Sequence, residues 1–186
     1  MAGRFPHTQE ASPDCAGASA AFATLRAAIV HHQYGRLVAE HGEVLSPALV
    51  WNVRQGANLS AAAVLQAEAT RSRVYAAAID FFTRHDALLT PAASVVPFPN
   101  TQDEVLLIDG KALHSVIDYP AITFVVSLLG LPCLSIPCGS TAEGLPCGLQ
   151  VIVPPFQEGR RLGFARRLEQ DLVCRHRWPD SCQAAE

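Results

Sequence analysis

The chain is 186 residues long, 49% hydrophobic and 17% charged, with a formal net charge of −3. That length allows one domain with a sizeable core, and the slight acidity gives no electrostatic reason to expect nucleic acid or an anionic membrane as partner. A mean hydropathy of +0.18 is high for a chain of this size, which means either an unusually complete core or apolar surface awaiting a partner.

The first dozen residues read as a loose tail. From Ala16 to Glu40, Phe22, Leu25, Ile29 and Leu37 recur near helical spacing, with Gly35 as a candidate break. The stretch HGEVLSPALVWNVRQGAN reads as a connection with a short turn, where Pro47 after Ser46 resembles a helix start. Ser60 then caps the clearest helix, AAAVLQAEATRSRVYAAAIDFFTRH. Val64, Leu65, Val74, Ala78, Ile79 and Phe82 are its expected apolar stripe.

Downstream, DALLTPAASVVPFP predicts a four-residue strand stopped by Pro91 and a proline-punctuated loop. EVLLIDGKALH carries an Asp109-Gly110 turn and reads as a hairpin or a strand-loop excursion. PAITFVVSLLG predicts a short buried helix opened by Pro120 and closed by Gly130. CLSIPCG and CGLQVIV predict two strands around the turn STAEG. QEGRRLGFARRLEQDLV predicts a last amphipathic helix with Leu162, Ala165, Leu168 and Leu172 on one side. Helices interleaved with short apolar strands imply α/β layers whose strands are buried on both faces.

The uncharged stretch from Tyr119 to Ala142 is long enough to span a bilayer. Gly130, Pro132, Pro137 and Gly139 interrupt it, and its flanks Asp118 and Glu143 show no Lys/Arg bias, so a buried helix followed by a strand fits better. The six cysteines, Cys15, Cys133, Cys138, Cys147, Cys174 and Cys182, form no C-x-x-C pair, and MAGRFPHTQEASPDCAG has no apolar h-region. Reduced, mostly buried thiols in a cytoplasmic protein are therefore expected. His31-His32 has no carboxylate or cysteine at ligand spacing, so no metal and no cofactor are expected.

The order of these signals resembles the C-terminal part of amidase signature enzymes. The resemblance rests on Asp86, Leu88, Leu89 and Pro91; on Gly130, Leu131, Pro132, Ser135, Pro137 and Gly139; on Gly144, Leu145, Pro146, Gly148 and Gln150; and on Glu169. The helix bearing Arg71 resembles the one preceding the D-x-L-L-x-P strand, and Ser127 departs mildly from the asparagine common before L-x-G. The resemblance covers residues 15–175, with tails at 1–14 and 176–186. It implies a partial amidase-signature α/β fold of short, buried, mixed-sheet strands flanked by helices.

In that family a serine nucleophile, a second serine on a cis peptide bond and a lysine base hydrolyse carboxamides, while a glycine-rich loop serves the oxyanion. The serines stand in a G-G-S-S-G-like loop, with the lysine further upstream. This sequence has no Gly-Gly and no Ser-Ser pair, and its single lysine, Lys111, follows the Asp-Gly turn as an expected solvated side chain. No catalytic residue is therefore assigned. Cys138 and Ser135 are the only substitutes worth weighing, and both read as structural, as does Gln150, which must find hydrogen-bond partners when buried.

The expectation is a C-terminal fragment or half of an amidase-signature hydrolase, inactive alone. Its implied partners are an N-terminal amidase half or a second copy through exposed apolar surface, and a small-molecule amide in the complete enzyme. Neither nucleic acid nor membrane is expected. The alternative is a non-catalytic binding or interaction module derived from an amidase.

Overall fold

The computed structural model describes residues 8–99, 101, 107–113 and 119–172. Residues 1–7 of the expected N-terminal tail, the whole expected tail 176–186, the thiols Cys174 and Cys182, and His114 lie outside the described residues. The chain divides into two compact units, residues 1–85 with Ser127–Gly130, and Asp86–Val126 with Leu131–Glu186.

The first unit is helical. Its elements are α1 (Ala18–His41), a single 3-10 turn (Gly42–Val44), α2 (Pro47–Ala57) and α3 (Ala61–Phe82). The helix α1 runs straight through Gly35. The expected connection at residues 41–58 is instead the full helix α2, with Pro47 in its first turn and the Ser46 hydroxyl accepting from the Leu49 amide at 3.3 Å. Proline at that position loses no helical hydrogen bond, because the first four amides have no intrahelical acceptor. Ser60 caps α3 as expected, accepting from the Ala63 amide at 3.1 Å.

Small residues make this packing possible. The buried positions of α1 are Ala18, Ala21 and Ala27, not the larger apolar residues at helical spacing: Ile29 is 57% exposed and Leu37 39%. On α3 the buried set is Ala67, Val74, Ala78 and Phe81, while Leu65 faces solvent. α2 meets α1 at Gly56, where an added Cβ would stand 2.2 Å from the Ala27 carbonyl oxygen. Beside it His31 Nδ1 donates to the Val53 carbonyl at 3.0 Å, which fixes the Nδ1-protonated form of the ring. The segment before α1 is tied to α3 by Asp14, which pairs with Arg73 at 3.0 Å.

The second unit holds two antiparallel sheets. β2 (Leu107–Ile108) and β3 (Lys111–Ala112) form a minimal hairpin. Asp109 and Gly110 both have positive φ, the type I′ geometry that an Asp-Gly pair favours. β1 (Leu88–Pro91), β4 (Cys133–Ser140) and β5 (Pro146–Ile152) form a sheet in the order β1-β5-β4. The strand pairing expected to be mixed is thus antiparallel throughout the described residues. β5, the central strand, is buried on both faces from Leu149 onward, whereas β4 is an edge strand with Cys133, Ser135 and Pro137 exposed on one face. α5 (Glu158–Leu172) covers β4 and β5 through Ala165 and Leu168, while Leu162, expected on the buried side, is 56% exposed.

The helix α4 (Ala121–Leu129) ends as the sequence predicts. Gly130 adopts φ +64, its amide bonds the Ser127 carbonyl at 3.1 Å, and the Leu131 amide bonds the Val126 carbonyl at 3.4 Å. This paired closure is the Schellman arrangement, which needs a left-handed residue. The uncharged run 119–142 is thus a helix and a strand, and among the described residues no helix is long and apolar enough to cross a membrane.

Alanine normally stabilises a helix relative to glycine by about 1 kcal/mol. At Gly56 the sign should reverse: Gly56→Ala is expected to lower stability by about 1–3 kcal/mol through overpacking, measured as a reduced urea midpoint at constant slope.

Candidate functional site

The motif residues converge on the β1-β5-β4 sheet. Register places Thr90 and Ser135 opposite Gln150 from either side. Gln150 is 6% exposed, a polar side chain between apolar neighbours. Its Nε2 lies 3.0 Å from Thr90 Oγ1, 3.0 Å from the Pro91 carbonyl and 3.2 Å from the Ile122 carbonyl. Two N–H bonds serve three acceptors, so one is shared. Since carbonyls only accept, this orientation of the amide is the one that satisfies them. On the other side Cys133 Sγ donates to Gln150 Oε1 at 3.4 Å. The carboxamide therefore ties β1, β4 and the start of α4 to β5, as expected for a structural glutamine.

The turn after β4 has its own support. The Thr141 amide donates to the Leu145 carbonyl at 2.8 Å, the Leu145 amide returns to Thr141 Oγ1 at 3.2 Å, and Gly144 takes φ +84. The Thr141 side-chain hydrogen bond holds the Glu143 carboxyl below the usual range, with help from the backbone. Asp86, at the head of the D-x-L-L-x-P motif, pairs with Arg160 of α5 at 2.6 Å, beside a small cavity of about 180 Å³ that includes Phe164 and Arg167. That pair is largely exposed, so it orients α5 more than it stabilises it.

The geometry does not activate the residues weighed as substitute nucleophiles. Ser135 is exposed, and among the described residues no histidine, lysine or carboxylate hydrogen-bonds it. Cys138 is half-buried, not fully buried as expected, because it sits at the bulge between Pro137 and Gly139, where the ladder slips. The expectation of mostly buried thiols also fails: Cys133 is exposed, and Cys15, Cys138 and Cys147 are intermediate, all four outside any disulfide. Burial, followed by the adjacent Asp14 carboxylate, pushes the Cys15 thiol up, which keeps it unreactive. Lys111 is exposed on the β2–β3 hairpin. Glu169 is exposed on α5. Among the described residues no group of three or more His, Cys, Asp or Glu is placed to hold a metal.

A second feature carries no motif. The first unit holds an open cavity of about 840 Å³, walled by Phe22, Leu25 and Ile29 of α1, Leu49 and Asn52 of α2, and Glu68 and Arg71 of α3. Ser127, the departure from the family pattern, also lines it. Of the apolar α1 residues that recur at helical spacing, Phe22, Leu25 and Ile29 line this cavity. Their helical spacing is the one available signal, and it does not separate a core stripe from a pocket lining.

An antiparallel sheet covered by α5, with glycine and proline at its corners and a buried glutamine at its centre, shares the chain with a set of helices in an α/β arrangement. The amidase family profile matches residues 10–162, and the chain belongs to that family. It is similar to a glutamyl-tRNA(Gln) amidotransferase subunit of Synechococcus sp. (strain RCC307), at 37% identity over 89 residues, covering 48% of this chain and 17% of that protein. The Natranaerobius thermophilus counterpart is 37% identical over 94 residues, covering 49% and 17%. Among solved structures, an amidase superposes with a TM-score of 0.78 at 26% identity, covering 87% of this chain and 37% of that one. A bacterial aryl acylamidase of the amidase signature family shares the fold, with a TM-score of 0.72 at 22% identity over 83% of this chain and 33% of its own. The chain thus spans well under half the length of the relatives it matches.

Two substitutions at Gln150 separate shape from hydrogen bonding. Gln150→Leu should cost about 2–3 kcal/mol, because buried acceptors lose their donor. Gln150→Glu should be worse at neutral pH, since a carboxylate would face two carbonyl oxygens. The folded state raises that introduced carboxyl's pKa, so the folded state binds more protons and the lost stability should return as pH falls. Urea unfolding of both variants at pH 7.5 and pH 5 checks this: parallel pH dependence would contradict the hydrogen-bond assignment.

Proposed function

We propose that this chain serves as the C-terminal portion, residues 15–175, of an amidase-signature hydrolase acting on carboxamide C–N bonds, and that it is inactive by itself. The nucleophilic serine, the bridging serine and the lysine base come from another polypeptide or segment. A cytoplasmic setting, where thiols stay reduced, agrees with the four cysteines outside any disulfide among the described residues.

The observation that carries this reading is a well-supported wall without the groups that would react. The sequence has no adjacent serines, and its one lysine stands on an exposed hairpin. Amide hydrolysis by this route requires a base within hydrogen-bond reach of the nucleophile, and donors aimed at the developing oxyanion.

Two further features favour a polypeptide partner. Among the described residues no strand pairs with the far edge of β4, which leaves that edge, interrupted at Pro137 and the bulge after it, open to another strand. Phe156 is 96% exposed and held at φ +63, a left-handed conformation that costs an aromatic residue energy unless something compensates for it. An N-terminal amidase half supplies both a strand and a cover. The similar amidotransferase chains are themselves named as subunits, which agrees with work shared between polypeptides.

Split-protein complementation tests the proposal. The purified chain should release no ammonia from benzamide or butyramide above the buffer rate. Co-expression with the serine- and lysine-bearing N-terminal region of an amidase-signature enzyme should give turnover, abolished by alanine at the partner's nucleophile. Turnover by this chain alone would overturn the reading.

A further inference from the structure

The cavity of the first unit has the volume of a small-molecule site, about 840 Å³ against a usual range of roughly 300–1,000 Å³. Its character is mixed in a specific way. Phe22, Leu25, Ile29 and Leu49 give it an apolar wall. Apolar residues at such a position are ordinarily buried, yet Ile29 is 57% exposed into this space.

The polar groups are unevenly committed. Glu68 and Arg71 neutralise each other at 2.8 Å. Arg26 lines the same space, has no carboxylate partner among the described residues, and sits 6.0 Å above the Phe22 ring. The ring's negative face holds the guanidinium beside the apolar wall without neutralising its charge. Asn52 is 7% exposed and spends one N–H on the Ala48 carbonyl at 2.8 Å. A carboxamide has a second N–H and an oxygen with two lone pairs, and neither is engaged among the described residues. A side chain more than nine-tenths buried and only partly satisfied, on a cavity wall, is a docking point for a ligand.

From these observations we propose that the cavity binds a small organic anion with an apolar body, of the class of aryl or medium-chain alkyl carboxylates. The hydrocarbon or ring lies along Phe22, Leu25 and Ile29. The carboxylate pairs with Arg26, and the second Asn52 N–H provides another donor for a bound oxygen. An ammonium ligand meets the uncompensated charge of Arg26, and a neutral amide forgoes the ion pair. The wall residues the proposal uses all belong to this chain, so binding is tested on the chain alone, and failure of complementation leaves this inference standing.

The test is calorimetric titration of the full 186-residue chain with 4-phenylbutyrate and octanoate, alongside octanamide and octylamine, at low ionic strength. The carboxylates should bind about tenfold more tightly than the amide, in keeping with a charge-assisted hydrogen bond. The amine should bind more weakly still. Arg26 is exposed, so Arg26→Gln should fold like the parent, checked by its melting curve. It should reduce carboxylate affinity about tenfold while leaving the amide unchanged. Arg26→Lys should recover most of the loss, and Ile29→Asp should abolish binding of the two carboxylates and of octanamide. Equal affinity for octanoate and octanamide, carboxylate binding indifferent to Arg26→Gln, or no binding by any probe would each overturn the proposal.

Discussion

The second unit depends on where one buried carboxamide sends its hydrogen bonds. Gln150 occupies the middle of the central strand, where a hydrocarbon would carry no desolvation cost of its own but would leave the facing acceptors without a donor. What the amide adds is direction. Its Nε2 faces the Pro91 and Ile122 carbonyls and the Thr90 hydroxyl, and its Oε1 faces Cys133. Each of those groups lies near the end of an element or in an edge strand. A glutamine at this point sets the register of β1 and β4 on β5 and the position at which α4 begins.

The same arrangement agrees with the proposal that this surface is a support. Nucleophilic catalysis needs a hydroxyl or thiol beside a base, with unspent donors near the point of attack. Here Thr90, Cys133, Thr141 and Gln150 are committed to one another and to backbone. Ser135 faces outward without a base among the described residues. The polar capacity that the motif brings to the sheet goes into holding shape.

Much of this is legible in the sequence, for identifiable reasons. Ser60 and Gly130 mark helix ends through local chemistry, and Asp109-Gly110 marks its turn the same way; all three stand where expected. Gln150 is readable as a structural residue because a lone amide in an apolar strand must be paired. The rest depends on non-local packing. α2 escapes a sequence reading because Asn52 and Gly56 weaken helical propensity in its interior, while the Ser46 cap, Pro47 in the first turn and close contact with α1 at Gly56 outweigh them. The buried face of α1 is equally hidden, because alanines, not leucines, set the distance of closest approach. That choice also opens the cavity, since Phe22, Leu25 and Ile29 have no role left in the core.

The central claim is that no side chain of this wall is an activated nucleophile. Intact-mass analysis of the purified chain after exposure to an excess of an alkyl fluorophosphonate addresses it directly, because such reagents modify serines that a neighbouring base has activated. The account predicts an unmodified mass. Stoichiometric addition of one phosphonyl group, mapped to Ser135 or any other serine of the chain, would contradict it.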